Sequence, residues 1–335
     1  MKVGLYGITY LGIWYKGPGL TCSKLITKAR ELGYEGVEFD GKRPQANPMD
    51  LDERARGEIR GLAAKEGIEI AAISANNNFT SPVTEDRECQ LLMVRELIRL
   101  CKDLGAPVLR LFAAWPGVTM RNGVATYDMT LGRPNDFELR YPSATWLEKW
   151  HFARECFKEA AKYAEDDGVI LALQNHPPLI QDYKDALAFV REVDSPNFRM
   201  CLDVPCEVRQ DDEWVRQAVL DTGDLQAHSH FSGELERGDD GQVRLLPSRY
   251  RETVNYLVFL KTLCEIGYEG YLCYEFCHPA LTEDHEPAGI DYIDKHAQLA
   301  LEYMRNALAE AEAAFSATEE QGGARVKLPL RGAGG

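Results

Sequence analysis

The chain has 335 residues, enough for one large α/β core, and its 45% hydrophobic and 27% charged content excludes a disordered or fibrous protein. A net charge of −15, with a sequence pI near 5.0, sets the surface against phosphate backbones, so nucleic acid is not expected as a partner. No apolar run approaches the roughly 20 residues that cross a bilayer, so no membrane partner is expected either.

The first element begins at once: Val3 to Gly7 reads as a strand, with no apolar signal region before it. Further short apolar runs follow at Gly36 to Phe39, Ile68 to Ile73 and Pro107 to Leu111, then at Val169 to Gln174, Phe198 to Asp203, Leu225 to His230 and Gly270 to Glu275. Several are continuously apolar, as strands covered on both faces are. Helical periodicity separates them. Between Glu85 and Leu104 it places Leu91, Val94 and Ile98 on one stripe, with Gly105 as the C-terminal stop. Thr145 and Glu148 have capping-box spacing and open a helix to about Ala164; a weaker one covers Asp212 to Leu220, and the last runs from Ile290 to Phe315. Alternating strands and helices in this order predict an α/β fold, a closed (β/α)8 TIM barrel over residues 1–318.

Two long polar segments, 113–142 and 231–248, interrupt the repeat on the side where such barrels place chemistry, and suit lids. Residues 319–335 form a Gly-rich tail with no core-forming pattern, expected to be disordered and dispensable. Nine cysteines without a CxxC pair fit a reducing cytosol, which sets the expected location as cytoplasmic.

Polar residues gather at the strand ends: Glu38, Arg110, Gln174 with His176, Asp203, His228 with His230, and Glu275. Several acids and imidazoles converging on one barrel mouth imply mutual pairing or a cation, because an unpartnered buried charge is costly. Asp203, one histidine and Glu275 make a mixed oxygen and nitrogen set suited to one divalent ion. The lack of evident thiolate ligands favours manganese or magnesium, with zinc or cobalt as alternatives.

Gly36-Val37-Glu38-Phe39, Leu171-Ala172-Leu173-Gln174-Asn175-His176, Cys201-Leu202-Asp203, His228-Ser229-His230 and Gly270-Tyr271-Leu272-Cys273-Tyr274-Glu275 come in an order and spacing that resemble the xylose isomerase-like TIM-barrel superfamily, over about residues 1–315. The resemblance implies a metal held by Glu, Asp, His and Glu at successive strand ends, which map here to Gln174, Asp203, His230 and Glu275. It implies that His230 is preferred over His228 because it lies nearer the strand end. Two positions depart from the pattern: Gln174 replaces the first carboxylate, and Cys206 stands where several branches carry a histidine. The implied activity is a metal-dependent sugar isomerase or epimerase that removes a proton beside a carbonyl, with Glu275 or His176 as the base. The implied partners are a small carbohydrate and, in this family, often a second copy of the chain. Rival readings are a keto-glycoside lyase or hydrolase, a phosphodiesterase of the abasic-endonuclease type, and a non-catalytic carbohydrate-binding barrel.

Glu38, Arg110, His228, Cys206, Trp14 and Trp115 are expected to contact substrate, the tryptophans by stacking on a sugar ring, as does Phe231 in the following loop. Each has a plainer reading as well. Glu38 and Arg110 suit a structural salt bridge, His176 and His228 suit histidines that orient a neighbour, and exposed aromatics also seal a rim.

Overall fold

The computed structural model describes residues 1–115, 118–121, 124–127, 143–247 and 254–320. The barrel strands, with the helices that follow them, are β1 (Lys2–Tyr6), α1 (Cys22–Leu32), β2 (Gly36–Asp40), α2 (Glu53–Glu66), β3 (Glu69–Ser74), α3 (Thr84–Leu104) and β4 (Val108–Leu111). After a small hairpin of β5 (Val118–Arg121) and β6 (Val124–Tyr127) come α4 (Trp146–Asp167), β7 (Ile170–Gln174), α5 (Tyr183–Val193), β8 (Phe198–Cys201), α6 (Asp212–Thr222) and β9 (Gln226–Ser232). A second hairpin, β10 (Leu235–Arg237) and β11 (Val243–Leu245), precedes α7 (Tyr256–Glu265), β12 (Tyr271–Glu275) and α8 (Ile290–Glu320).

Closure occurs in the order β1, β12, β9, β8, β7, β4, β3, β2, with parallel pairing throughout the barrel. The eight expected strands are therefore the eight that close. The helices form because their apolar stripes have the barrel to cover: Leu91, Val94, Leu97, Ile98, Cys101 and Leu104 are the buried face of α3. Gly105 ends that helix at φ 76°, a left-handed position that costs glycine nothing. Thr145 and Glu148 form the expected capping box at the start of α4.

Differences lie at the ends of elements. β8 stops at Cys201, so Asp203 stands just before a 3₁₀ turn (Val204–Cys206), at its N-cap, rather than in the strand. β9 runs on to Ser232, which makes Phe231 a buried strand residue packed on Tyr256 and Tyr274 instead of a loop aromatic available to a sugar. Within segment 231–248 the β10–β11 hairpin is fastened to α8: the Leu235 N–H donates to His296 Nδ1 at 3.1 Å, Tyr292 donates to Glu234 at 2.7 Å, and Arg237 pairs with Glu302. That stretch is a strap rather than a free lid. Helix α8 continues to Glu320, past the expected boundary at 318; most of the expected tail and much of the 113–142 segment lie outside the described residues.

Candidate active site

Alternation along each strand sends every second side chain into the barrel. The lower inward layer is small and apolar, with Ala72, Val108, Ala172 and Cys201 packed as one buried cluster. One step closer to the strand C-termini the inward positions turn polar. Small side chains below leave room for large polar ones above, where they pair with one another.

Glu38 is the hub of this polar layer. Its Oε1 accepts from Arg110 Nε at 2.8 Å, and its Oε2 meets His228 Nε2 at 2.8 Å and His230 Nε2 at 2.7 Å. Arg110 also donates to Gln174 Oε1 at 2.5 Å and to Ser74 Oγ at 2.6 Å, with the Tyr6 and Phe112 rings against its guanidinium. Burial opposes the Glu38 charge, yet His230, Arg110 and His228 outweigh it and hold the carboxyl well below its usual range. For His228 burial is the larger effect and lowers its pKa, which favours a neutral ring. Glu38, Arg110 and His228 are 0–1% exposed. The structure thus places these three, expected to contact substrate, in a buried network in which each is bonded to neighbouring side chains.

Asp203 is positioned through its backbone. Asn175 Oδ1 accepts the Asp203 N–H at 2.7 Å while Asn175 Nδ2 donates to the Asp203 carbonyl at 2.9 Å. The same Nδ2 donates to Glu207 Oε1 at 2.6 Å, and Trp214 Nε1 donates to Glu207 Oε2 at 2.7 Å. Burial pushes the Glu207 carboxyl up to about 7 against these hydrogen bonds.

Above the Glu38 hub, His230 Nδ1 lies 3.8 Å from Asp203 Oδ2 and 3.9 Å from Glu275 Oε2. His230 Nδ1 and Asp203 Oδ1 are both buried and neither has a hydrogen-bond partner. Burial and the nearby Asp203 carboxylate push Glu275 up to about 7. Burial alone would depress His230, but Glu38 above all, then Asp203 and Glu275, push it up to about 10. One atom from each of Asp203, His230 and Glu275 falls within 4.8 Å of the others. Two carboxylates and an imidazole nitrogen, with two orphaned atoms that each cost about 1–3 kcal/mol, fit a divalent ion. Of the two histidines, His230 is the one that turns a nitrogen to the acids. Glu38, His228 and Cys273 also lie close enough to share an ion, but the Arg110 guanidinium on Glu38 disfavours a cation there.

Gln174 meets this set through its amide: Nε2 donates to Asp203 Oδ2 at 2.5 Å, while Oε1 is held by Arg110. Cys206 Sγ donates to the same Asp203 oxygen at 3.1 Å and lies 3.9 Å from Gln174 Nε2. His176 Nδ1 lies 2.5 Å from the Pro177 carbonyl, which only accepts, so Nδ1 carries a proton. Its ring stands edge-on to Phe112 and Trp115, and Trp115 is stacked on Phe112. Trp14 packs against the main core, and its carbonyl accepts the Ala280 N–H at 2.8 Å. Tyr6, stacked on His230 with centroids 5.3 Å apart, and Asn175 were not singled out in the sequence. Tyr6 ends β1, so the strand-end criterion applied to the other strands reaches it; Asn175 gives no such signal, because it reaches Asp203 from outside the inward alternation.

Fructoselysine 3-epimerase of Shigella flexneri is 24% identical over 293 residues, which cover 85% of this chain and 92% of that protein. Among solved structures, D-psicose 3-epimerase of Clostridium cellulolyticum H10 superposes with a TM-score of 0.66 at 20% identity, covering 92% of this chain and 99% of the other. The IolI protein, solved with a zinc atom bound, has a TM-score of 0.63 at 17% identity and covers 93% and 99%. Residues 26–306 match the xylose isomerase-like TIM barrel, and the chain belongs to that family.

Proposed function

We propose that this protein is a divalent-cation-dependent sugar epimerase or isomerase that acts on a small keto-sugar. The observation that carries the reading is the meeting of His230 Nδ1 with the Asp203 and Glu275 carboxylates at the strand C-termini, where His230 Nδ1 and Asp203 Oδ1 are buried and unpartnered. The 3-epimerase relatives support a carbohydrate substrate.

Asp203, His230 and Glu275 would hold the cation, which when bound withdraws charge from the oxygens of a hydroxy-carbonyl substrate and so acidifies the adjoining C–H. Glu38 accepts the proton on His230 Nε2, so Nδ1 is the ring nitrogen left facing Asp203 and Glu275, and it would give a bound cation its lone pair on losing its own proton. Epimerisation requires a proton to leave one face of the carbon and return to the other. Glu275 on β12 and His176 after β7 come from strands separated in the barrel by β9 and β8, so they can approach a substrate from different sides. His176, its ring held by the Nδ1 hydrogen bond to the Pro177 carbonyl, takes the proton-carrier role that an amide at Gln174 cannot fill. Trp115, packed beside His176, provides an apolar wall for the sugar ring.

The test is incubation with Mn(II) and a panel of ketoses in D2O. A single deuterium at the carbon beside the carbonyl, lost in Asp203→Ala and reduced about 100-fold or more in His176→Ala, is the expected result. Exchange that persists without added or bound metal, or turnover near wild type in His176→Ala, overturns the assignment concerned.

A further inference from the structure

Gln174 stands at the strand position where the family resemblance implies a metal ligand, but its neighbours give it another task. Arg110 has only donors to offer, so the Gln174 atom 2.5 Å from its Nη1 must be the amide oxygen. The Asp203 carboxylate only accepts, so the Gln174 atom 2.5 Å from Oδ2 must be the amide nitrogen. Both neighbours select the same orientation. Turning the amide over would set NH2 against a guanidinium and an oxygen against a carboxylate, at the cost of two buried, charge-assisted hydrogen bonds. An amide nitrogen has no lone pair free for a cation, and the oxygen is already held by a guanidinium that is 1% exposed.

Asp203 shows the other side of the arrangement. Its Oδ2 receives two donors, Gln174 Nε2 and Cys206 Sγ at 3.1 Å, whereas its Oδ1 receives none. The hydrogen bonds thus engage and orient the oxygen that lies 3.8 Å from His230 Nδ1, and leave Oδ1 without a donor. Resting on the proposed cation site, we infer that Gln174 is a positioning residue rather than a metal ligand: locked by Arg110, it donates to Asp203 Oδ2 and fixes that carboxylate beside His230, so that the protein supplies three ligands, Asp203, His230 and Glu275. The residue type follows. Glutamate at 174 would pair with Arg110 but would also face the Asp203 carboxylate, and only an amide serves both neighbours. Three protein ligands in place of four leave one more coordination position for substrate oxygens or water.

The experiment is Mn(II) titration of the full chain by calorimetry, together with the crystal structure of the Mn-loaded wild type. Gln174→Met, which carries no oxygen or nitrogen at that place, is expected to keep one ion per chain with an affinity within about tenfold of wild type, whereas Asp203→Asn loses 100-fold or more. In the crystal, Gln174 Oε1 is expected on Arg110 and outside the coordination sphere. Loss in Gln174→Met as large as in Asp203→Asn, or Gln174 Oε1 bonded to manganese, overturns the inference. If Gln174→Met fails to fold, the wild-type crystal decides alone. A wild type that binds no Mn(II) at all defeats the cation site itself, and the three-ligand inference with it.

Discussion

Two halves of the polar layer use the same kinds of side chain and behave differently. On the β2 and β4 side, Glu38, Arg110, Ser74 and Gln174 pair donor with acceptor, and both carboxylate oxygens of Glu38 are engaged. On the β8, β9 and β12 side, Asp203, His230 and Glu275 bring two acids and one imidazole together with Asp203 Oδ1 and His230 Nδ1 left over. Buried polar groups are almost always satisfied, so the first half has the character of a scaffold and the second that of a site. Residue type alone does not separate them. Glu38 and Glu275 both belong to acid and imidazole clusters, and only the bonding tells which one has capacity to spare.

Removing the hub should have the largest effect. Glu38→Ala leaves the buried Arg110 without its counter-charge and His228 and His230 without their acceptor, so a loss of about 3–5 kcal/mol is expected in denaturant unfolding. A loss below about 1 kcal/mol would show that the scaffold half does not depend on this carboxylate. Glu275→Gln tests the other half and should separate binding from stability. The carboxylate is destabilised by burial and by Asp203, so without metal the variant should unfold within about 1 kcal/mol of wild type, while Mn(II) affinity falls 100-fold or more. Equal losses in both measurements would erase the distinction between the halves.

A smaller effect is expected at Glu207, which supports Asp203 through Asn175 from outside both halves. Its folded pKa is about 7, above the ordinary 4.5, so the native state binds the proton more tightly than the unfolded one. Its contribution to stability is therefore fully present below about pH 4.5 and is lost as pH rises toward 7. Glu207→Gln should remove that slope, so the difference between wild type and variant should change by on the order of 1–3 kcal/mol across the window. Unfolding midpoints measured at several pH values check this. A constant difference would mean that the carboxyl titrates normally.

Much of this arrangement was legible in the chain. Eight apolar runs, with helical periods between them, state the barrel because each strand needs cover on both faces, and the strand-end rule reaches Asp203, His230 and Glu275. What it did not reach is the direction of each polar atom. Glu38, Arg110 and His228 were read as substrate contacts at strand ends, and the structure shows which of their atoms bond one another in a buried network; Phe231 was expected in a loop, yet β9 runs two residues further and takes it into the core.

The sequence by itself determined which residues meet at the barrel mouth, because a period of two along each strand and the parallel order of the strands leave little freedom in where an inward side chain ends. Only the tertiary structure decided what each one does there. Gln174 lies 64 residues from Arg110 and 29 from Asp203 along the chain, and the orientation of its amide is set by the charge of those two neighbours. Hydrogen-bond direction is a property of contacts, and these contacts exist only once the barrel has closed.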